Sequence, residues 1–281
     1  MTSQRLLTLV SAALSGVVSF ASSASACSTT TPCLVETGEY NIAKPDADTE
    51  AAVIFIHGFG GSGSGVFRNQ SLTNSVLERG YALVAPTGLV PEGRNGGSWS
   101  FHPNREQRRD EISFIKSVRD DLIETHGIDP DKILLTGFSI GGSMTSYLAC
   151  AEPDAFKAYA PLGGSFWRPH PTTCAGSVSL LHTHGWTDGT VPLEGRMVRG
   201  IDVKDPNSFV QGDVFHAMSI WREANQCNNL KADRFDTSGP FMRRSWERCA
   251  PGSNLELAIF PAGHIIPKGW AEMAIEWFEN L

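Results

Sequence analysis

The sequence predicts an α/β fold in which a mostly parallel central sheet is covered by helices on both faces. Apolar runs of strand length alternate along the chain with longer amphipathic stretches of helical length. Some of these runs, such as residues 51–56, are apolar throughout rather than alternating with polar residues. This is typical of strands in a parallel sheet, because the crossover helices bury both of its faces.

The strands are predicted from short runs rich in aliphatic and aromatic residues, which favour an extended backbone. The second run ends at Pro86, which cannot continue a ladder of backbone hydrogen bonds. In chain order, the predicted strands are residues 51–56, 81–85, 132–136, 158–162, 177–182 and 255–260.

The helices are predicted from apolar residues that recur every three or four positions. Residues 108–125 are the longest example, with an apolar face made of Ile112, Phe114, Ile115, Val118, Leu122 and Ile123. The other predicted helices are residues 71–79, 210–223 and 269–278. The stretches 86–105 and 202–212 are predicted to be irregular. Because loops at the carboxyl ends of parallel strands hold binding sites, we expect both stretches to frame a cleft.

The first 26 residues have the features of an export signal. Arg5 supplies a positive charge, residues 6–20 are apolar, and residues 24–26 form an A-x-A cleavage site. Cys27 would then be the first mature residue and a possible lipid attachment point, although Ala24 stands where lipoprotein signals usually carry Leu. We therefore expect simple secretion, to the periplasm or the external medium. Residues 27–281 are expected to form a single catalytic domain, with no membrane span.

The charge balance is modestly acidic. The 30 Asp and Glu residues outnumber the 23 Lys and Arg residues, which gives a formal charge of −7, or −8 once Arg5 is removed. A chain of this charge has no electrostatic reason to bind nucleic acid or anionic lipid. The charge does not indicate an oligomeric state.

All six cysteines lie beyond the predicted cleavage site, and an even number in an exported chain favours disulfides. Six cysteines allow 15 pairings. Their order along the chain favours three local loops, Cys27–Cys33, Cys150–Cys174 and Cys227–Cys249. A metal site is not predicted, because the sequence has no C-x-x-C motif or tight Cys/His cluster.

The G-x-S-x-G pattern at residues 137–141 predicts a nucleophile at Ser139. An apolar run precedes the pattern and a helix-like stretch follows it, which is the strand–turn–helix context of a nucleophile elbow. Small residues are needed there because the turn is tight. The alternative is an ordinary glycine-rich turn without catalytic function.

A serine nucleophile needs a base and a carboxylate that orients it. His264 follows the last predicted strand and is the predicted base, while a surface loop histidine is the alternative. Asp188 follows the strand 177–182 and is the predicted carboxylate, while a turn Asp before Gly189 is the alternative. Three competing carboxylates lie in polar stretches without a preceding strand, namely Asp202, Asp205 and Asp213. His182 and His184 are expected to be structural.

The oxyanion formed on attack should be stabilised by backbone N–H groups. One is expected from Ile140, the residue after the predicted nucleophile. The other is expected from Phe59, in the glycine-rich stretch HGFGG at residues 57–61. A phosphate-binding Walker loop is not predicted, because no Lys-Ser/Thr follows these glycines.

Together these segments resemble the secreted esterases of the polyhydroxybutyrate depolymerase type, which are similar to the feruloyl and acetylxylan esterases of carbohydrate esterase family one. The resemblance spans about residues 51–280, and its matching segments include IFIHGFGGS at 54–62, GGSW at 96–99, RDEISFI at 109–115, IDPD at 128–131, GFSIGGSMT at 137–145, APLGG at 160–164, HG at 184–185, VP at 191–192, GH at 263–264 and Pro267. The resemblance implies an α/β-hydrolase fold with Ser139, Asp188 and His264 as the triad. It also implies hydroxyalkanoate esters, or feruloyl and acetyl esters on polysaccharide, as substrates.

We therefore expect a secreted serine esterase that works through an acyl-enzyme on small or polymeric esters, without a metal or organic cofactor. Trp186, Trp99 and Phe101 are predicted to line the substrate subsites, while ordinary packing is the alternative for Trp99 and Phe101. Two other functions stay open. One is a serine peptidase of the prolyl oligopeptidase type. Such enzymes usually carry a large extra domain, for which the 255 residues after the predicted signal leave no room. The other is a non-catalytic binding protein.

Overall fold

In the part of the chain that the structure describes, ten strands form one sheet. The computed structural model describes residues 27–196, 204–205 and 207–281, so the predicted signal peptide and Asp202 lie outside the described residues. The strands are β1 Cys33–Val35, β2 Gly38–Ala43, β3 Ala52–Ile56, β4 Ala82–Pro86, β5 Ile133–Phe138, β6 Ala158–Leu162, β7 Ser179–Gly185, β8 Arg234–Ser238, β9 Phe241–Trp246 and β10 Asn254–Phe260. The α-helices are α1 Gly63–Val66, α2 Gln70–Glu78, α3 Glu111–His126, α4 Ile140–Ala151, α5 Val214–Ala224 and α6 Trp270–Glu279.

The sheet order is β1-β2-β4-β3-β5-β6-β7-β10-β9-β8, and the six strands from β4 to β10 are parallel to their neighbours. The two outer strands on each side pair antiparallel. Strand β3 is completely buried, which explains its continuous apolar sequence. Since the central strands are parallel, their carboxyl ends share one edge of the sheet, and the loops that leave this edge meet there.

Helices cover both faces, as the alternation of strands and helices predicted. Buried side chains of α3, α4 and α5 form the apolar core on one face, including Phe114, Leu148 and Trp221. Those of α2 and α6 form the core on the other face, including Val76 and Trp277. The predicted α/β-hydrolase fold with a mostly parallel sheet is confirmed.

The predicted elements were found within a few residues, and two of the boundary differences have a capping explanation. Helix α3 begins at Glu111 rather than residue 108, because the Asp110 carboxylate accepts a hydrogen bond from the Ser113 N–H at 3.0 Å. Helix α5 begins at Val214 rather than residue 210, because Asp213 caps it in the same way.

Four strands were not predicted, namely β1, β2, β8 and β9. The sequence RFDTS of β8 is mostly polar, and its residues are exposed at the edge of the sheet. An edge strand has no second neighbour to bury it, so it lacks the apolar pattern by which central strands are found.

Three disulfides join the six cysteines in the pairs that their order along the chain favours, Cys27–Cys33, Cys150–Cys174 and Cys227–Cys249. His126 lies close to the first pair. Because both sulfurs are in a disulfide, they cannot bind a metal as thiolates. Among the described residues, no helix has the length and apolar character needed to cross a bilayer.

Candidate active site

Ser139 lies at the turn between β5 and α4 with a positive φ, at φ 60° and ψ −123°. A non-glycine residue holds this conformation only where its surroundings force it. A Cβ on Gly141 would lie 2.1 Å from the Ile56 carbonyl oxygen, and one on Gly164 would lie 1.9 Å from the Ser139 carbonyl oxygen. The glycines are therefore required by close backbone packing, which fixes Ser139 at the carboxyl edge of the sheet.

The Ser139, His264 and Asp188 side chains form one hydrogen-bonded line. The His264 Nε2 atom lies 2.9 Å from Ser139 Oγ, and its Nδ1 atom lies 2.6 Å from Asp188 Oδ2. Because Asp188 can only accept, His264 Nδ1 carries a proton and Nε2 is free to accept one from Ser139. Each residue follows a different strand, β5, β7 and β10, so the fold brings together side chains far apart in sequence.

Asp188 is buried and is held by two backbone donors. Its Oδ1 atom accepts hydrogen bonds from the N–H groups of Thr190 and Val191, both at 2.8 Å, and only 5% of the residue is exposed. These bonds leave Oδ2 directed at His264. The carboxylate therefore has one orientation, in which it fixes the tautomer of the histidine.

Two buried histidines of β7 support the Asp188 loop. His184 Nε2 donates to the Val191 carbonyl at 2.7 Å and lies 3.6 Å from Asp188 Oδ2. Its Nδ1 atom then accepts from His182 Nε2 at 3.1 Å. Burial lowers the pKa of both histidines, and His182 and His184 are therefore neutral near pH 7. The sequence indicated structural histidines but not that His184 contacts the site, because a strand position does not reveal which loop it touches.

The glycine-rich loop after β3 lies directly beside Ser139, since a Cβ on Gly58 would be 3.4 Å from the Ser139 Cβ. The Gly58 carbonyl accepts from His57 Nδ1 at 2.8 Å and from the Gly61 N–H at 3.1 Å. In a planar trans peptide the C=O and N–H point in opposite directions, so the Phe59 N–H points away from the His57 ring. The Ile140 N–H is in the first turn of α4, where amides have no partner within the helix.

The tautomer of His57 is fixed on both sides, which stabilises this loop. Its Nε2 atom accepts the Gly88 N–H at 3.0 Å, so the ring proton is on Nδ1 and faces Gly58. Burial lowers the pKa of His57, which keeps the ring neutral. The sequence placed His57 in the oxyanion loop, and its ring holds the peptide that precedes Phe59.

The structure favours the packing alternative for Trp99, which was predicted to bind substrate. Trp99 is 3% exposed, its indole Nε1 donates to the His57 carbonyl at 2.9 Å, and its ring stacks on Phe114. A side chain enclosed in this way contacts the protein interior rather than a ligand. It supports the glycine-rich loop from behind, because the carbonyl that it binds belongs to the first residue of that loop.

Phe101 and Trp186 have different surroundings. Phe101 is half-buried, with ring centroids 5.3 Å from Tyr147 and 5.7 Å from Trp167. Trp186 is 61% exposed in the loop that carries Asp188. Sequence reasoning missed Trp167, whose indole donates to Ser143 Oγ one turn after Ser139. Trp167 lies in the loop after β6, at the carboxyl edge of the parallel sheet, and this position could have marked it as a residue near the site.

The described competitors of Asp188 have other partners. Asp205 accepts from the Asn207 N–H at 2.9 Å, and Asp213 caps α5. Desolvation by burial lowers the pKa of the loop histidines His102 and His170, to about 4 for His170. None of these side chains joins the hydrogen-bonded line at Ser139 in the described part of the chain.

The fold and the hydrogen-bonded Ser–His–Asp line define an α/β-hydrolase. A family model described as phospholipase/carboxylesterase matches residues 37–219, which is more than half of the chain, and the chain belongs to this family. The matched segment includes Ser139 and Asp188 and ends before His264.

Curated relatives are named as esterases. The chain is 31% identical over 233 residues to a putative esterase of Nocardia uniformis subsp. tsuyamanensis, covering 77% of this chain and 65% of the relative. It is 30% identical over 186 residues to a probable feruloyl esterase C of Aspergillus terreus, covering 63% and 61%. A shorter match of 92 residues, 34% identical, is to a poly(3-hydroxyalkanoate) depolymerase C of Paucimonas lemoignei, covering 32% and 21%. The chain thus spans less than two thirds of the length of these relatives.

Among solved structures, an acetyl xylan esterase from Aspergillus awamori superposes with a TM-score of 0.64. The match covers 86% of this chain and 94% of the other at 17% identity. At this identity the likeness supports the fold and not the substrate.

Proposed function

We propose that the protein is an exported serine carboxylic-ester hydrolase with Ser139 as nucleophile, His264 as general base and Asp188 as the orienting carboxylate. The observation that carries the proposal is the hydrogen-bonded line from Asp188 Oδ2 through His264 to Ser139 Oγ, with distances of 2.6 and 2.9 Å. The strained backbone of Ser139 supports it, because strain at one residue is typical of a functional turn.

In the first step, Ser139 Oγ attacks the ester carbonyl and His264 Nε2 takes the hydroxyl proton. The imidazolium formed is stabilised by ionised Asp188, which keeps its own position through the Thr190 and Val191 N–H groups. His264 then protonates the departing alcohol. An acyl-enzyme remains on Ser139 until water, activated by the same histidine, releases the acid.

The tetrahedral oxyanion is proposed to bind the Phe59 and Ile140 N–H groups. The first is directed by the fixed Gly58 carbonyl, and the second is at the N-terminus of α4, where the helix dipole favours negative charge. Losing one such donor costs about 3–4 kcal/mol of transition-state stabilisation. Both donors are backbone groups, so their positions depend on the turns that hold them.

The proposed substrates are feruloyl or acetyl esters of polysaccharides, or hydroxyalkanoate esters, in small or polymeric form. This is supported by the names of the feruloyl esterase and depolymerase relatives. We propose that Phe101 and Trp186 contact the ester, since Trp186 is exposed beside Asp188. Export is supported by the signal-like first 26 residues and by the three disulfides.

The test compares wild type with Ser139→Ala on p-nitrophenyl acetate and butyrate. The variant should lose at least 10³-fold in kcat, because removing the nucleophile leaves only binding and oxyanion contributions. Ser117→Ala is the matched control, since that hydroxyl donates only to the Phe114 carbonyl on α3. A fluorophosphonate should label Ser139, identified by peptide mass spectrometry. Retained turnover in Ser139→Ala would refute the assignment.

The two other functions are separated by adding p-nitroanilide peptides as substrates and by the fluorophosphonate labelling. A peptidase would cleave p-nitroanilide peptides at rates comparable to esters, and a binding protein would resist the fluorophosphonate. We expect ester turnover to exceed amide turnover by at least 10²-fold.

A further inference from the structure

A groove separate from the Ser139 site runs between α5 and one face of β9 and β10; we call it the α5 groove. It has a volume of about 820 Å³. The loop before β8 lines it, and so do Trp186 and Pro261, in the loops that carry Asp188 and His264. Neither Ser139 nor His264 lines the groove among the described residues.

The periodicity of the three elements builds the groove. Helix α5 supplies residues three or four apart, Phe215, Met218, Ser219 and Arg222. The strands supply alternate residues, Met242, Arg244 and Trp246 from β9 and Leu257 and Ile259 from β10. Since each set lies on one face of its element, the sheet forms the floor and the helix forms a wall.

The groove exposes large apolar side chains. Leu230 is 84% exposed, Met242 50% and Phe215 48%, and Trp186 is at the rim. Scattered apolar residues are common on protein surfaces, but a contiguous set around a concavity is typical of a binding site.

The charges of the groove are all of one sign. Arg222, Lys231 and Arg244 line it, and no Asp or Glu does so among the described residues. None of the three forms an ion pair with a described carboxylate. By contrast, Arg234 and Arg243 do not line the groove. Arg234 forms an ion pair with Glu247, and Arg243 forms one with Glu256. In a chain of net charge −7, three cations without counter-charges on apolar walls attract an anion.

Arg222 is the most specific of the three cations. Its Nη2 donates to Ser219 Oγ at 2.8 Å, and its guanidinium lies 5.5 Å from the Trp246 ring centroid. Its Nε is buried without a hydrogen-bond partner among the described residues. A planar donor group held against an aromatic ring in this way is suited to a carboxylate.

We propose that the α5 groove binds an apolar organic acid in its anionic form, with the aromatic or aliphatic body on the Met242 and Ile259 floor and the carboxylate at Arg222 and Arg244. The volume is in the range of small-molecule sites. The apolar walls account for the body of the ligand, and the cations account for its charge. This site goes beyond ester hydrolysis, because none of its contacts involves the Ser139 hydroxyl.

Isothermal titration calorimetry with 2-naphthoate and its neutral analogue 2-naphthamide tests the proposal. Naphthoate should bind at least tenfold tighter than naphthamide, and added salt should weaken only naphthoate. In Arg222→Gln/Arg244→Gln, naphthoate affinity should fall at least tenfold while naphthamide affinity is unchanged. Arg234→Gln is the matched control, since this exposed arginine lies outside the groove, and it should leave both affinities unchanged.

A second variant keeps the test decisive if the double substitution fails to fold. Met242→Asp places a carboxylate at an exposed groove position and should abolish naphthoate binding. The Arg222→Gln/Arg244→Gln variant should hydrolyse p-nitrophenyl acetate as wild type does, which separates this site from the proposed ester hydrolysis. Equal affinity for naphthoate and naphthamide would overturn the proposal, as would unchanged naphthoate binding in both groove variants.

Discussion

Replacing Asp188 with Asn tests whether the carboxylate fixes the histidine tautomer. Asp188 Oδ1 accepts the N–H groups of Thr190 and Val191, so an amide at this position keeps its oxygen there. The NH₂ group then replaces Oδ2 and faces His264 Nδ1, where the present distance is 2.6 Å. His264 must accept at Nδ1 and carry its proton on Nε2, and it can no longer take the Ser139 proton.

The magnitude follows from the alternative amide orientation. Turning the Asn oxygen toward His264 restores the useful tautomer but leaves two buried N–H groups facing an NH₂ group. Each unsatisfied donor costs about 1–3 kcal/mol, and two cost about 2–6 kcal/mol. At 1.36 kcal/mol per factor of ten this is a loss of roughly 30-fold to 10⁴-fold. Loss of the charge that stabilises the imidazolium adds to it, so we expect kcat to fall about 10³- to 10⁴-fold.

The assay is p-nitrophenyl acetate hydrolysis, with unfolding in urea followed by circular dichroism to show that the variant is folded. Asp213→Asn is the matched control, because Asp213 caps α5 and Asn caps helices equally well. We expect its kcat to stay within twofold of wild type. A loss below tenfold in a folded Asp188→Asn protein would refute the argument that Asp188 sets the tautomer.

Two further predictions concern the supporting structure. Trp99→Phe removes the indole donor from the buried His57 carbonyl, so the free energy of unfolding in urea should fall by about 1–3 kcal/mol. Its kcat should decrease by the same factor for acetyl and aromatic esters; an effect on one ester only would instead indicate substrate contact. Burial lowers the pKa of six histidines, His57, His102, His126, His170, His182 and His184. Since the unfolded chain binds these protons first, the free energy of unfolding should fall as pH drops below about 6.5, by up to ~1.4 kcal/mol per pH unit for each fully buried histidine and by less for the half-buried His126 and His170. His170 has a pKa of about 4, so it contributes to this fall from about pH 6.5 down to about pH 4. The variant His170→Gln should therefore show a shallower slope of unfolding free energy between pH 7 and 5. A flat wild-type profile in that range would contradict the prediction.

Local sequence was sufficient for the central strands and for the strained turn. Strand β3 is recognisable because burial on both faces demands a continuous apolar run, and the elbow is recognisable because its backbone tolerates only small neighbours. Edge strand β8 and the pair β1 and β2 carry weaker patterns, because no residue of β8 is buried and only part of β1 and β2 is buried. The boundaries of α3 and α5 depend on single capping residues that hydrophobic periodicity does not register.

The aromatic residues show where sequence reasoning ends. Trp99 and Trp186 both follow strands and both read as loop residues, yet one is enclosed in the core and the other is exposed. The difference depends on which distant elements pack against each loop, Phe114 of α3 against Trp99, and this is a property of the assembled sheet and helices.

By itself, the sequence determined the fold class and named the residues of the Ser139, Asp188 and His264 line, and the order of the cysteines favoured the pairs that form. These are encoded by short motifs in a fixed order on a parallel sheet, whose carboxyl ends necessarily meet. Only the tertiary structure decided the contact of His184 with Asp188, the burial of Trp99 and the one-sided charge of the α5 groove. Each of these depends on side chains from elements distant in sequence, and only packing brings such side chains together.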